Sequence, residues 1–365
     1  MIILWTNSWN CHGSTAASSA RASKPADPIE TGRYEMADSP RDAVLRIMNG
    51  MVEIIDQELA KWADDPGGTA LATAGSSIAD ATTTPPEDTS TGASESSAPA
   101  DAGPFPVTPL EITLTDTSLE GLPEDLTAGV IDVTVTDETE AGGGINFSLV
   151  EPGTDVETFK TDLTETIFAG KPFPDHFLNM AGVTSQGMIA LDAGEYIVWF
   201  DLAANIDRPS TAEDLVAASL TVGAGDDDAV IPETDGHIRA GDYLFDVDVA
   251  AGGSTVTFTN SSDNQFHHIV LFDFGTNDPA VVEENLLALL EAEDDSAMPE
   301  GIDPAQINFE FASSGVFGPG GSGTFDAAFE AGHTYAAMCF ISDREGGQPH
   351  AFQHNMYDVF QVGAG

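Results

Sequence analysis

Basic residues are scarce in this chain: 11 Lys and Arg stand against 61 Asp and Glu over 365 residues, a formal net charge of −50. That balance excludes nucleic acid as a partner, because affinity for phosphate backbones comes from Lys and Arg displacing counterions. Anionic membrane surfaces are disfavoured for the same reason. Cysteine is almost absent. Cys11 lies in a polar leader and Cys339 in an apolar run, so no disulfide framework is expected. No apolar run approaches the roughly 18 residues that a membrane span needs. The start, MIILWTNSW, has neither the charged opening nor the apolar length of a secretory signal. Apolar residues are not lacking, at 41% with 20 Phe, so a real core can form.

The charge is uneven. Residues 105–365 carry only five bases (Lys160, Lys171, Arg208, Arg239 and Arg344) against 46 acids. Such a surface repels itself at low salt and stays soluble when salt screens it. The alternative reading is a docking face for a basic redox or docking protein.

Residues 1–37 read as an irregular leader. Over 38–65, Ser39-Pro40 opens a helix on which Val44, Met48, Met51, Ile55, Leu59 and Trp62 form one apolar stripe. This amphipathic helix is expected to pack on its own protein, pair with a copy of itself or dock a partner. Residues 66–104 are nearly all Ala, Ser, Thr, Gly, Pro and acid, and read as a disordered linker.

From Phe105 the texture becomes short β-rich runs broken by Gly, Asp and Asn, in two series that divide at Asp226-Asp227-Asp228. That acidic triplet reads as a solvated turn, since no Ca²⁺-loop spacing follows it. The two series look like copies. FSLVEPGTD (147–155) matches IVLFDFGTN (269–277), each followed by a helix, near 155–168 and 279–293. LDAGEYIVWF (191–200) matches FEAGHTYAAMCF (329–340) in the same way. The expected fold class is all-β, with two tandem β-sandwiches over 105–225 and 226–365, each carrying one inserted helix.

The chemistry-bearing residues gather in the second copy. His267 and His268 stand side by side in FHHIVLF, where strand geometry sends neighbours to opposite faces. Cys339 ends a later strand, and His350, His354 and Met356 follow before the last one. Two imidazoles, a thiolate and a thioether are the donors of a blue-copper centre. His176, His237 and His333 sit in polar context and are expected at the surface. No Gly-X-Ser-X-Gly elbow supports a hydrolase, and no His-X-His pair supports an oxygen-reducing copper cluster.

On these residues the second copy resembles the cupredoxins, the plastocyanin-like blue copper family. The resemblance implies a Greek-key sandwich, a copper cofactor, electron transfer rather than catalysis, and work outside the cytoplasm. Carried over by position, it implies His267, Cys339 and His350 as ligands and Met356 as the axial thioether, with His354 an alternative ligand. Ten residues (FISDREGGQP) separate Cys339 from His350, where the family loop has two to four. The first copy has Ile145 in the place of His267 and lacks the set. The alternative function is a metal-free tandem β-sandwich for extracytoplasmic binding or surface display.

Overall fold

The computed structural model describes residues 107–139, 144–203, 210–225, 229–291 and 299–363. The leader, the amphipathic helix, the linker, Cys11 and the acidic triplet at 226–228 lie outside the described residues.

The described residues are mostly β. The first half of the chain runs β1 (Thr108–Leu114), β2 (Leu119–Glu120), β3 (Leu126–Thr127), β4 (Gly129–Asp137) and β5 (Ile145–Val150). Helix α1 (Val156–Asp162) follows and continues into a π-type turn, Leu163–Ile167. Then come β6 (Phe177–Val183), β7 (Gln186–Leu191), β8 (Gly194–Asp201) and β9 (Leu215–Gly223). The second half begins with β10 (Gly236–Gly241), β11 (Leu244–Asp248), β12 (Thr255–Asn260) and β13 (Val270–Asp273), followed by α2 (Pro279–Glu291). It ends with β14 (Asn308–Ser313), β15 (Ser322–Asp326), β16 (Thr334–Met338), the short helix α3 (His350–Gln353) and β17 (Tyr357–Gln361).

The repeat seen in the sequence is also a repeat of pairing. β1 runs parallel to β4 and β10 parallel to β12. β5 lies antiparallel between β6 and β8, as β13 lies between β14 and β16. A helix follows β5 in one half and β13 in the other. Asp155 caps α1 by accepting from the Glu157 and Thr158 amides, which satisfies the free donors of its first turn. The tyrosines of the two Ala-Gly turns each bond back to the residues before the turn, in opposite senses. The Tyr196 hydroxyl donates to Asp192 O (3.1 Å), and the Tyr335 hydroxyl accepts from the Glu330 amide (2.8 Å).

Two tandem sandwiches were expected, but the halves share a sheet. Its order is β11-β10-β12-β15-β7-β4-β1-β2, eight strands crossing from one half to the other at β15–β7. The four-stranded sheet β14-β13-β16-β17 and the five-stranded sheet β3-β9-β8-β5-β6 each contain strands of one half only. The physical reason is edge protection, since a strand left at a sheet edge exposes unpaired amides and carbonyls. At this seam Gly323 pairs with Ile189, the Met188 amide donates to Thr324 Oγ1 (2.8 Å), and Gln186 Nε2 donates to Asp326 (2.7 Å). Gly182 and Gly315 bring the two backbones together elsewhere along it. A Cβ on Gly315 would lie 2.0 Å from the Gly182 carbonyl oxygen, so no larger residue fits. One apolar core runs through both halves, from Phe147, Phe177 and Trp199 to Phe258, Phe266 and Phe317.

Strands β6, β10 and β14 were not evident from sequence. FLNMAGV, GHIRAG and NFEFAS carry few β-branched residues, and they are extended because their neighbours' ladders hold them so. The FHHIVLF strand is shorter than its composition suggests. Regular pairing starts only at Val270, and His267 makes an isolated bridge with Phe317.

Candidate metal centre

His267 is fixed by its backbone, donating its amide to Phe317 O (2.9 Å) and accepting from the Phe317 amide (2.8 Å). Its neighbour His268 turns the other way, as alternation requires, and its Nε2 accepts the Phe340 amide at 2.9 Å. The pair therefore divides the work. One imidazole enters the cluster and the other holds the chain beside Cys339.

Cys339 follows the last residue of β16. Its amide donates to Met356 O (3.2 Å) and its carbonyl accepts from the Ala351 amide (2.8 Å), which ties it to both ends of α3. The ten residues before His350 do not drift outward. Ser342 and Pro349 form an isolated bridge, the Gly346 amide donates to Asp343 O (2.8 Å), and the His350 amide donates to Ile341 O (2.8 Å). The long loop is a small hairpin, and His350 starts α3 beside the cysteine. After α3, Asn355 takes φ 54°, a left-handed value that asparagine tolerates, and Met356 turns back so that its amide donates to His350 O (3.1 Å).

Cys339 Sγ lies 3.7 Å from His267 Nδ1 and 3.5 Å from His350 Nδ1. One donor atom from each of these three residues lies within 4.8 Å of the others, and all three side chains are buried. Met356 is also fully buried, with its backbone hydrogen-bonded to both Cys339 and His350. His354, the alternative ligand, is outside the set. Its Nε2 is bonded to Asp343 Oδ2 at 2.9 Å, and its ring stacks on Tyr243.

Burial governs the protonation of the cluster. It pushes the Cys339 thiol up to about 12. Burial, then the charges of His350 and His268, holds His267 down at about 3. His268 is lowered to about 3 by burial and by His350. His350 is lowered to about 4 by burial, against the pull of Asp343. At neutral pH the imidazoles are uncharged, so His267 and His350 can each offer a ring-nitrogen lone pair, while the thiol keeps its proton until a cation replaces it. This is the chemistry of a site for a soft or borderline metal ion, and the donor set is that of type 1 copper.

Sequence reasoning missed the groups around the set. Asp343 Oδ1 accepts from the Tyr243 hydroxyl (2.7 Å) and lies 3.2 Å from His350 Nε2, although that nitrogen has no well-aligned hydrogen bond. Its other oxygen accepts from Gln353 Nε2 (3.0 Å) as well as from His354. Burial alone would raise the Asp343 carboxyl, but the His354 and Tyr243 hydrogen bonds and the two nearby imidazoles outweigh it and hold it below its ordinary value. Burial and the Asp343 hydrogen bond push the Tyr243 phenol up to about 12. No spacing signal links Tyr243 to a loop a hundred residues downstream. The three histidines expected at the surface are instead partly buried and partnered, because each lies on or beside a packed strand. His176 is 3.6 Å from Asp162, His237 bonds Thr259 (3.0 Å) and His333 bonds Asp273 (3.1 Å).

No family model matches the chain, and no curated protein matches it either. Among solved structures it is similar to a dithionite-reduced auracyanin from the photosynthetic bacterium Roseiflexus castenholzii, at 30% identity over 34% of this chain and 94% of that one, with a TM-score of 0.21. It is also similar to auracyanin A of Chloroflexus aurantiacus, described as a "blue" copper protein, at 25% identity over 28% of this chain and 83% of that one, with a TM-score of 0.18. Lac15 from a marine microbial metagenome covers 71% of this chain and 67% of its own at 10% identity, with a TM-score of 0.19. Superpositions at such TM-scores decide nothing. What stands independently of them is the site itself, a buried His267–Cys339–His350 cluster beside Met356 with the donor set of a blue copper centre.

Proposed function

We propose that the second half would hold one copper ion through His267 Nδ1, Cys339 Sγ and His350 Nδ1, with the Met356 thioether as a weaker fourth donor, and that the protein carries single electrons. The observation that carries this reading is the convergence of three buried donor atoms within 4.8 Å. A bound copper supplies a one-electron couple. The protein's own residues do the rest: the hairpin 340–349 and α3 orient His350, the Phe317 bridge orients His267, and the buried walls exclude water. Donors already in place make little rearrangement necessary when charge changes.

The wider assignment is a tandem pair of cupredoxin-like Greek-key sandwiches, divided near 225/226, of which the first has lost its ligands. Carriage rather than catalysis is favoured because the chain contains no His-X-His pair. An extracytoplasmic location follows from the linker-like stretch 66–104 and the scarcity of lysine; recovery of the chain only from cytosol on fractionation would refute it.

Copper(II) titration of the full chain tests the site. An intense blue or green charge-transfer band is expected, and Cys339→Ser should abolish it. A colourless protein with a freely titratable thiol would instead favour the metal-free binding module.

A further inference from the structure

The hairpin between Cys339 and His350 is anchored at its tip on the half that carries no ligands. Its backbone makes two hydrogen bonds there. The Gly347 amide donates to Gly170 O (2.8 Å), and the Arg344 carbonyl accepts from the Phe173 amide (2.8 Å). These two bonds pair the segment 344–347 with 170–173. The Arg344 guanidinium adds a third link by donating to Phe177 O at 2.7 Å. The backbones approach closely, since a Cβ on Gly346 would lie 2.6 Å from Gly170 O. From its own half the tip is met by Gln265, whose Oε1 accepts from the Arg344 amide at 2.8 Å.

The sequence of the first half builds a stiff arm at this place. The π-type turn after α1 stops at Gly170, which is left-handed at φ 66°. The Gly170 amide donates to Ile167 O (3.0 Å) and the Lys171 amide to Thr166 O (2.8 Å), the Schellman arrangement that ends a helix and turns the chain away from it. Lys171-Pro172-Phe173-Pro174 follows. Proline fixes its own φ and pushes the residue before it toward extended backbone, so the two prolines hold Phe173 straight. Prolines have no amide to donate. Phe173 therefore carries the only one among residues 172–174, and that amide is the one bonded to the ligand hairpin. The Phe173 ring stacks on Phe266, with centroids 4.9 Å apart, and Phe266 is the residue before His267. One side chain and its amide thus touch both segments that carry the cluster's histidines.

We infer that the ligand-free half has a function at the metal centre: its arm, residues 170–174, is a clamp that sets where His350 stands relative to His267 and Cys339, with Phe173 as the positioning residue. The inference rests on the copper reading above. A longer loop has more conformations to lose, yet His350 Nδ1 must stay within reach of the same ion as the Cys339 thiolate and His267. The Ser342–Pro349 bridge fixes the shape of the hairpin. The pairing of 344–347 with the arm fixes its direction, and the Phe173–Phe266 stack refers that direction to the backbone next to His267.

Three variants of the full chain at Phe173 test the clamp. Phe173→Pro removes the bonding amide and the ring but keeps extended backbone, Phe173→Ala removes the ring alone, and Phe173→Tyr keeps both. Val133→Ala, in the buried core of the first half on β4, controls for lost stability, which urea midpoints record for every protein. In the metal-free state, Phe173→Pro should speed hydrogen exchange at the Gly346, Gly347 and His350 amides about tenfold or more and leave residues 270–273 unchanged. Copper(II) affinity, measured against a chelator, should fall about 10- to 100-fold, with a shift in the wavelength of the charge-transfer band. Phe173→Ala should show the same changes at about two- to fivefold, and it carries the test if the proline variant does not fold. Phe173→Tyr should match the wild type, and Val133→Ala should keep its affinity within about twofold and its band in place. Unchanged exchange in both Phe173→Ala and Phe173→Pro, or unchanged affinity and band despite faster exchange, would overturn the clamp and leave the copper reading standing. Equal changes in Val133→Ala would do the same, because they would reduce the effect to stability. Absence of the band in the loaded wild type would overturn the copper reading itself, and this inference with it.

Discussion

Ser342 and Pro349 pair across an isolated β-bridge, which closes the ten residues between Cys339 and His350 into a hairpin and returns the imidazole to 3.5 Å from the thiol. A loop longer than the family's therefore still delivers its histidine. The cost of closing a longer loop grows only slowly with length, and here backbone hydrogen bonds and a docking surface on the first half offset it.

Asp343 is the centre of that hairpin's side-chain contacts, with the Tyr243, Gln353, His354 and His350 side chains around one carboxylate. Asp343→Asn keeps the shape but loses the charge facing two imidazoles. Copper affinity, measured by competition with a chelator, should fall about 10- to 100-fold, as for other partners of metal-ligating histidines. An unchanged affinity would mean that the backbone alone sets His350.

The adjacent histidines should separate cleanly in mutagenesis. His267→Ala is expected to abolish the charge-transfer band. His268→Ala leaves the buried Phe340 amide without its acceptor, which costs about 1–3 kcal/mol of stability in urea melts, while the band survives. Loss of the band in both variants at equal stability would contradict this division of labour.

The metal-free protein should be less stable on both sides of neutrality. The folded-state pKa values of His267, His268 and His350 are depressed to about 3, 3 and 4 from an ordinary value of 6.5. Between these limits the unfolded chain binds protons that the native cluster refuses. Stability therefore falls as pH drops below 6.5, by about 1.4 kcal/mol per unit for each imidazole, until the folded value is reached. The Cys339 thiol is shifted the opposite way, from 9.0 to about 12, so its contribution is complete below pH 9 and is lost as pH rises toward 12. Urea midpoints of the metal-free chain from about pH 4 to 11 should trace a dome. A flat profile on the acid side would contradict the buried neutral imidazoles.

Arg344 joins the ligand hairpin to the first half. Its guanidinium lies 4.8 Å over Phe266 and 5.9 Å over Phe173, its side chain donates to Phe177 O, and its carbonyl accepts the Phe173 amide at 2.8 Å. Arg344→Ala should cost about 1–3 kcal/mol in denaturant melts, with Arg344→Lys recovering only part of it because lysine lacks the planar fork. Full recovery by lysine would reduce the contact to simple charge.

The candidate donors were legible in the sequence, because copper chemistry restricts the residue types and only one Cys lies in the β-rich region. His267, Cys339, His350 and Met356 could be named from composition, order and family likeness. The matched segments at 147–155 and 269–277 likewise announced the repeat, since a strand–turn–helix unit leaves a local pattern of turn residues. Strands β6, β10 and β14 left none, being extended by their neighbours rather than by their own residues.

The donor inventory, the β texture and the duplication are properties of residues near one another along the chain, so the linear order alone specifies them. Folding decided the rest: that the halves share an eight-stranded sheet, that His350 rather than His354 faces the Cys339 thiol, and that Tyr243 and Asp343 close over the site. Each of those depends on groups brought together from distant positions by sheet pairing and hairpin closure, and no local pattern encodes such a meeting.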